Sequence, residues 1–144
     1  DLSDILSGLK TREDPFIINL SDNRLLGSLA NIWAQYLKNL KHLDELDLRD
    51  CDLESKDIEP LAGSLSDMST LATLNLSGNP SLGGIAVSWA GHLVQLNQLE
   101  QVSLCRCSLT GEDIEDIGIS VGMVENIHTL DLSGNKELRH SVAS

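Results

Sequence analysis

Three cysteines, four histidines and one loop arginine are the residues of this 144-residue chain whose side chains could do more than pack. Cys105-Arg106-Cys107 has the look of half a metal clamp. A tetrahedral thiolate or imidazole site needs a second pair at ligand spacing, and no such Cys or His pair accompanies this one. His42, His92, His128 and His140 fall in four different registers of the pattern set out below, so they do not gather as a metal set or a base beside a nucleophile requires. No G-x-S-x-G, Walker sequence or G-x-G-x-x-G follows a predicted strand, and Gly83-Gly84 falls in a loop. The expectation is a protein with no catalytic residues, no metal and no cofactor.

Charge narrows the partners. Ten Lys and Arg against 22 Asp and Glu give a formal charge of −12, whereas nucleic acid and anionic membrane surfaces demand a basic footprint. An acidic balance steers toward a basic protein surface instead. No apolar run approaches the roughly 18 residues of a membrane span. The opening "DLSDILSGLKTRED" lacks the basic-then-apolar order of a signal peptide.

The elements that position these residues follow from self-similarity at an offset of 28. "IINLSDNRLLG", "ELDLRDCDLES", "TLNLSGNPSLG", "QVSLCRCSLTG" and "TLDLSGNKELR" begin at Ile17, Glu45, Thr73, Gln101 and Thr129 with no insertion between them. One column reads Ile18, Leu46, Leu74, Val102, Leu130 and a second, two residues on, Leu20, Leu48, Leu76, Leu104, Leu132. Alternation of this kind puts both aliphatic columns on one side of a short strand. A third column, Asn23, Cys51, Asn79, Cys107, Asn135, turns inward, where an Asn side chain can pair backbone groups that a tight bend leaves open. This is the pattern L-x-x-L-x-L-x-x-N/C of leucine-rich repeats.

Past the turn the apolar spacing becomes helical. Leu37, Leu65, Leu93, Val121, then Leu40, Met68, Leu96, Val124, then Leu43, Leu71, Leu99, Ile127 are separated by four and three within each unit, predicting a helix packed on the strands. "TGED" from Thr110 and the region of Asp57 supply helix starts. A second period overlies the first. Asn units pair Ala30 with Trp33 and Ala86 with Trp89, while Cys units place Ile58 with Leu61 and Ile114 with Ile117, which conserves volume in a dense core. The tryptophans are read as core wedges. Cys51 and Cys107 lie two strands apart, about 10 Å at a strand spacing of about 4.8 Å, beyond the roughly 7 Å that a disulfide spans between alpha carbons. They are expected to be free structural thiols, consistent with a reducing compartment.

Units of 28 residues with a true helix, alternating N-x-x-L and C-x-L, resemble the ribonuclease-inhibitor-like class of leucine-rich repeats, most closely the repeat region of NOD-like innate immune receptors, over residues 16 to 138. The resemblance implies an α/β leucine-rich repeat solenoid, a horseshoe with a parallel β-sheet on the concave face and helices on the convex face. It also implies a non-enzymatic protein-interaction scaffold, ligand-sensing or autoinhibitory, in the cytoplasm. The predicted organisation is one array, with a partial repeat over 1–15 and repeats starting near 16, 44, 72, 100 and 128. A fragment of a larger protein is expected, with possible self-association through open array ends, since no polar cap is visible.

The concave strands then offer three outward columns: Ile17, Glu45, Thr73, Gln101, Thr129; Asn19, Asp47, Asn75, Ser103, Asp131; and Ser21, Arg49, Ser77, Cys105, Ser133. Glu45, Asp47, Arg49, Thr73, Asn75, Gln101, Ser103 and Asp131 are the expected partner-binding residues. Asn19 and Asn75 open N-x-S sequons, which the repeat consensus produces by itself. Two alternatives stand beside the scaffold reading: a Ran-type GTPase-activating repeat protein acting through Arg106, and an actin-regulating array.

Overall fold

The computed structural model describes residues 2–66 and 68–136. Five strands, β1 (Phe16–Asn19), β2 (Leu43–Asp47), β3 (Thr73–Asn75), β4 (Gln101–Ser103) and β5 (Thr129–Asp131), form one parallel sheet in sequence order. Ile18 pairs with Leu46, Leu46 with Leu74, Leu74 with Val102 and Val102 with Leu130, so the 28-residue repeat of the sequence is the register of the sheet. Parallel strands need a crossover, and each unit returns through helical segments laid on one face of the sheet.

The core lies between those two layers. Leu46, Leu48, Leu74, Leu76, Val102 and Leu104 from the strands are at most 1% exposed, as are Leu37, Leu61, Leu65, Trp89 and Ile117 from the facing segments. The complementary columns pack as expected: Ala30 with Trp33, then Ile58 with Leu61, then Ala86 with Trp89. Each indole donates its Nε1–H back into its own turn, Trp33 to the Leu26 carbonyl at 3.1 Å and Trp89 to that of Leu82 at 2.8 Å, so both wedges are polar-satisfied. Helix α1 (Leu2–Leu9) precedes β1 and buries Leu6 against the same core.

One expectation changes. A true helix in every unit was predicted, but among the described residues the two Cys units carry long ones, α3 (Ser55–Leu65) and α4 (Gly111–Gly122), and the Asn units do not. The Asn units instead string short pieces together: a 3-10 turn at Arg24–Leu26, α2 (Ala30–Trp33) and a 3-10 turn at Ala34–Tyr36, then 3-10 segments at Pro80–Leu82, Ala86–Ser88 and Ala90–Gln95. The cause is the extra residue in N-x-x-L. It completes a 3-10 turn directly after the Asn, then a left-handed residue, Ser28 at φ 66° or Gly84 at φ 81°, redirects the chain. The helical segment therefore starts later than in the Cys units and must reach the next strand in fewer residues, which the longer rise of a 3-10 helix allows. Gly27 and Gly83 are required at these turns, because a Cβ would collide with the backbone carbonyls of Asp52 and Ser108 in the next unit.

Candidate functional site

The inward turn residues hold adjacent units in register. Asn79, fully buried, accepts from Cys51 N at 3.1 Å and Leu53 N at 2.9 Å and donates to the carbonyls of Leu48 at 3.0 Å and Leu76 at 2.7 Å. Asn135 repeats the arrangement toward Cys107, Leu109, Leu104 and Leu132. The Cys column donates instead: the Cys51 thiol reaches the Leu20 carbonyl at 3.1 Å and the Cys107 thiol that of Leu76 at 3.3 Å. Burial pushes the Cys107 thiol up to about 11, so it stays protonated and inert. Cys51, Cys105 and Cys107 are all free.

Two residues that the sequence reading passed over as helix starts join the units on the opposite side. Asp57 and Asp113 are 1% and 2% exposed. Asp113 accepts from Thr110 N at 2.8 Å within its own helix start, and from Gly84 N at 2.6 Å and Ala86 N at 2.9 Å in the unit before. Asp57 does the same toward Glu54, Ser28 and Ala30. Burial acts to raise the Asp113 carboxyl, but the N–H groups of Thr110, Ala86 and Gly84 outweigh it and hold it below the usual carboxylate range. The signal was present as an Asp recurring at the same position two units apart.

On this frame the concave face presents its three columns. In the first, Gln101 and Thr129 are exposed and Glu45 and Thr73 half-buried, with Ile17 61% exposed at the β1 edge. The second column does more structural work than expected. Asn19, Asp47, Asn75 and Asp131 each accept, through Oδ1, the N–H two residues on, at 2.9, 3.1, 3.0 and 3.0 Å, closing the strand ends. Asp131 is exposed, and the Ser133 N–H holds its carboxyl below the ordinary value. Ser103 makes no such bond; its unit is tied instead by Cys105 N donating to Ser77 Oγ at 3.0 Å.

Asp47 is also held by its neighbour Arg49. Only 6% exposed, it binds the Arg49 side chain through Nε at 3.0 Å to each carboxylate oxygen and through a terminal nitrogen at 2.9 Å. Both carboxylate oxygens are engaged by Arg49, and the half-exposed guanidinium forms the outer part of the pair. Thus Glu45, Arg49, Thr73, Asn75, Gln101, Ser103 and Asp131 lie together on one rigid surface, with Asp47 beneath it.

Among the described residues the histidines stay apart. His42 and His92 are half-buried, His128 lies 3.7 Å from Glu100, and His140 falls outside the described residues. Among the described residues no group of three or more His, Cys, Asp or Glu could hold a metal, and no helix is long and apolar enough to cross a membrane. Arg106 stands in the turn after β4, on left-handed backbone at φ 54°.

Parallel strands in 28-residue register, N/C turns facing the core and alternating helical segments define a leucine-rich repeat solenoid whose repeats are of the ribonuclease-inhibitor-like class. Curated relatives agree. The chain is similar to pig (Sus scrofa) ribonuclease inhibitor, 31% identical over 82% of this chain and 26% of that protein. It is also similar to the NLR family CARD domain-containing protein 4 of Xenopus tropicalis, 28% identical over 83% of this chain and 12% of that protein. It thus spans about a quarter or less of the curated relatives it matches. No family model matches the chain. Among solved structures, actin-binding site 2 of leiomodin-1 superposes with a TM-score of 0.73 at 13% identity, covering 99% of this chain and 83% of that one. The Caenorhabditis elegans tropomodulin C-terminal domain follows with a TM-score of 0.69 at 13% identity, 99% of this chain and 93% of that one. At that identity the likeness is one of fold.

Proposed function

We propose that this array is a non-enzymatic scaffold that recognises a protein partner through the concave sheet, as part of a cytoplasmic receptor of the NOD-like type. The observation that carries the reading is the sheet itself: polar side chains sit on five strands paired in 28-residue register from Ile17 on, so the backbone that presents them is already ordered when a partner docks. Glu45, Arg49, Thr73, Asn75, Gln101, Ser103 and Asp131 are the contact residues in this reading, and the net charge of −12 favours a basic partner surface. The likeness to the NLR family protein supports the receptor context, and the likeness to ribonuclease inhibitor supports the inhibitor-like mode of docking. Free thiols, two of them buried, suit a reducing cytoplasm.

A ribonuclease and actin are the first partners to test, because a ribonuclease inhibitor and an actin-binding site are among the proteins this chain is similar to. Binding is measured by titration calorimetry with the unaltered chain and with Glu45→Lys and Gln101→Lys. Binding that weakens about ten-fold in the variants at low salt, with unchanged melting temperature, supports concave recognition of a basic surface. Actin binding indifferent to these changes replaces the reading with an actin-regulating array. Failure of both proteins to bind removes both partner classes.

A further inference from the structure

Residues that leave each strand end in a left-handed turn form one more 28-residue column, at the rim of the sheet. It holds Asp22, Asp50, Gly78, Arg106 and Gly134, with φ of 65°, 54°, 71°, 54° and 75°. Two residues on, the neighbouring column reads Arg24, Asp52, Pro80, Ser108, Lys136. Over the first two units this rim is acidic, and its one arginine there is answered, Arg24 pairing with Asp52 at 3.0 Å. Over the last two units the sign inverts. Arg106 stands in the column of Asp50, and Lys136 in that of Asp52.

Arg106, Ser108, Gly134 and Lys136 line a cavity of about 360 Å³, at the lower end of the range typical of small-ligand sites. Among the described residues, neither the Arg106 guanidinium nor the Lys136 ammonium has a hydrogen bond or an ion pair; Lys38 and Lys41 are equally without an ion pair, and what sets Arg106 and Lys136 apart is that they line one cavity. Gly134 contributes by lacking a side chain: a Cβ there would press on Arg106 Cγ and displace the arginine from this end of the rim. The Ser108 hydroxyl adds a neutral donor to the same wall. Two unneutralised cations around one concavity focus positive potential locally, even on a chain that is acidic as a whole.

We propose that this rim cavity binds a phosphate monoester dianion. Two positive charges match a group that carries close to two negative ones, and a phosphate has oxygens enough to engage a guanidinium, an ammonium and a hydroxyl at once, whereas a carboxylate carries a single charge. None of the four lining residues is aromatic, so nothing there stacks a base and the phosphate itself is the recognised group. The site is separate from the concave columns and stands or falls independently of the scaffold reading. The ester can belong to a phosphorylated side chain or to a small metabolite, because both present the same dianion.

The test is an amide-resolved NMR titration of the full chain at low ionic strength and about pH 7.5, where the dianion predominates over its second ionisation near pH 6. Inorganic phosphate, a phosphoserine peptide and acetate are the probes. Saturable shifts centred on Arg106, Ser108, Gly134 and Lys136 are expected with both phosphates, with acetate at least about ten-fold weaker. Arg106→Gln and Lys136→Gln should each weaken phosphate binding about five-fold, as exposed charge contacts do. The double variant should abolish it, with unchanged melting temperature and unshifted amides elsewhere. A peptide tighter than inorganic phosphate identifies a phosphoprotein source, and equal affinities a free ester. Shifts spread evenly over surface lysines, acetate as strong as phosphate, or a double variant that still binds each overturn the proposal.

Discussion

Replacing Asn79 by Ala removes one side chain and orphans groups on the unit before it. Cys51 N and Leu53 N lose their only acceptor and the Leu48 carbonyl its donor, while the Leu76 carbonyl keeps the Cys107 thiol and the Ser77 carbonyl keeps Asp50 N. Three buried polar groups left unpaired, at about 1 to 3 kcal/mol each with partial relaxation, amount to about 3 to 6 kcal/mol. That is a large share of the roughly 5 to 15 kcal/mol that holds a domain of this size together. The chain contains its own control. Asn23 occupies the same column, yet it is exposed and only donates, to the Leu20 carbonyl at 2.8 Å and that of Ser21 at 3.3 Å. Asn23→Ala should therefore cost less than about 1 kcal/mol. Urea unfolding followed by circular dichroism measures both, and a thermal scan should find the Asn79 variant melting roughly 10 °C or more below the parent. Equal losses for the two variants would refute the argument that the buried turn hydrogen bonds, rather than the Asn side chain as such, hold successive units in register.

Two further outcomes follow from the joints between units. Gly83→Ala drives a methyl into the backbone carbonyls of Cys107 and Ser108 and should destabilise by about 2 kcal/mol, whereas Gly63→Ala, exposed on α3 with nothing near its Cβ, should stabilise by about 0.5 kcal/mol. Opposite signs in the same unfolding assay are the check. The depressed carboxyl of Asp113 contributes stability that is fully present above the unfolded value near pH 4 and is lost as pH falls through the lower folded value. Asp113→Asn should therefore lower stability at neutral pH, and its deficit should shrink on acidification; a deficit constant with pH would place the cost in shape rather than in charge.

The alternation of aliphatic columns, the N/C turn and the compensating Ala-Trp and Ile-Leu pairs were legible in the chain because each is a matter of period and volume, and a repeated unit must bury the same face against each neighbour. The strand register and core followed directly, from Ile18 and Leu46 through Leu130. Asp57 and Asp113 were not legible as joints, since their partners at Ser28, Ala30, Gly84 and Ala86 lie in the preceding unit and meet them only when the solenoid closes.

By itself, then, the sequence determined the solenoid, its parallel sheet and which columns face the core, because those depend on residue type at fixed spacing. Tertiary structure alone decided that the Asn units turn in 3-10 segments, that Asp47 pairs with Arg49, and that Arg106 and Lys136 share one cavity. Such outcomes depend on where one unit's turn meets the next, and on which charge lies within hydrogen-bond reach, distances that no spacing along a single strand encodes.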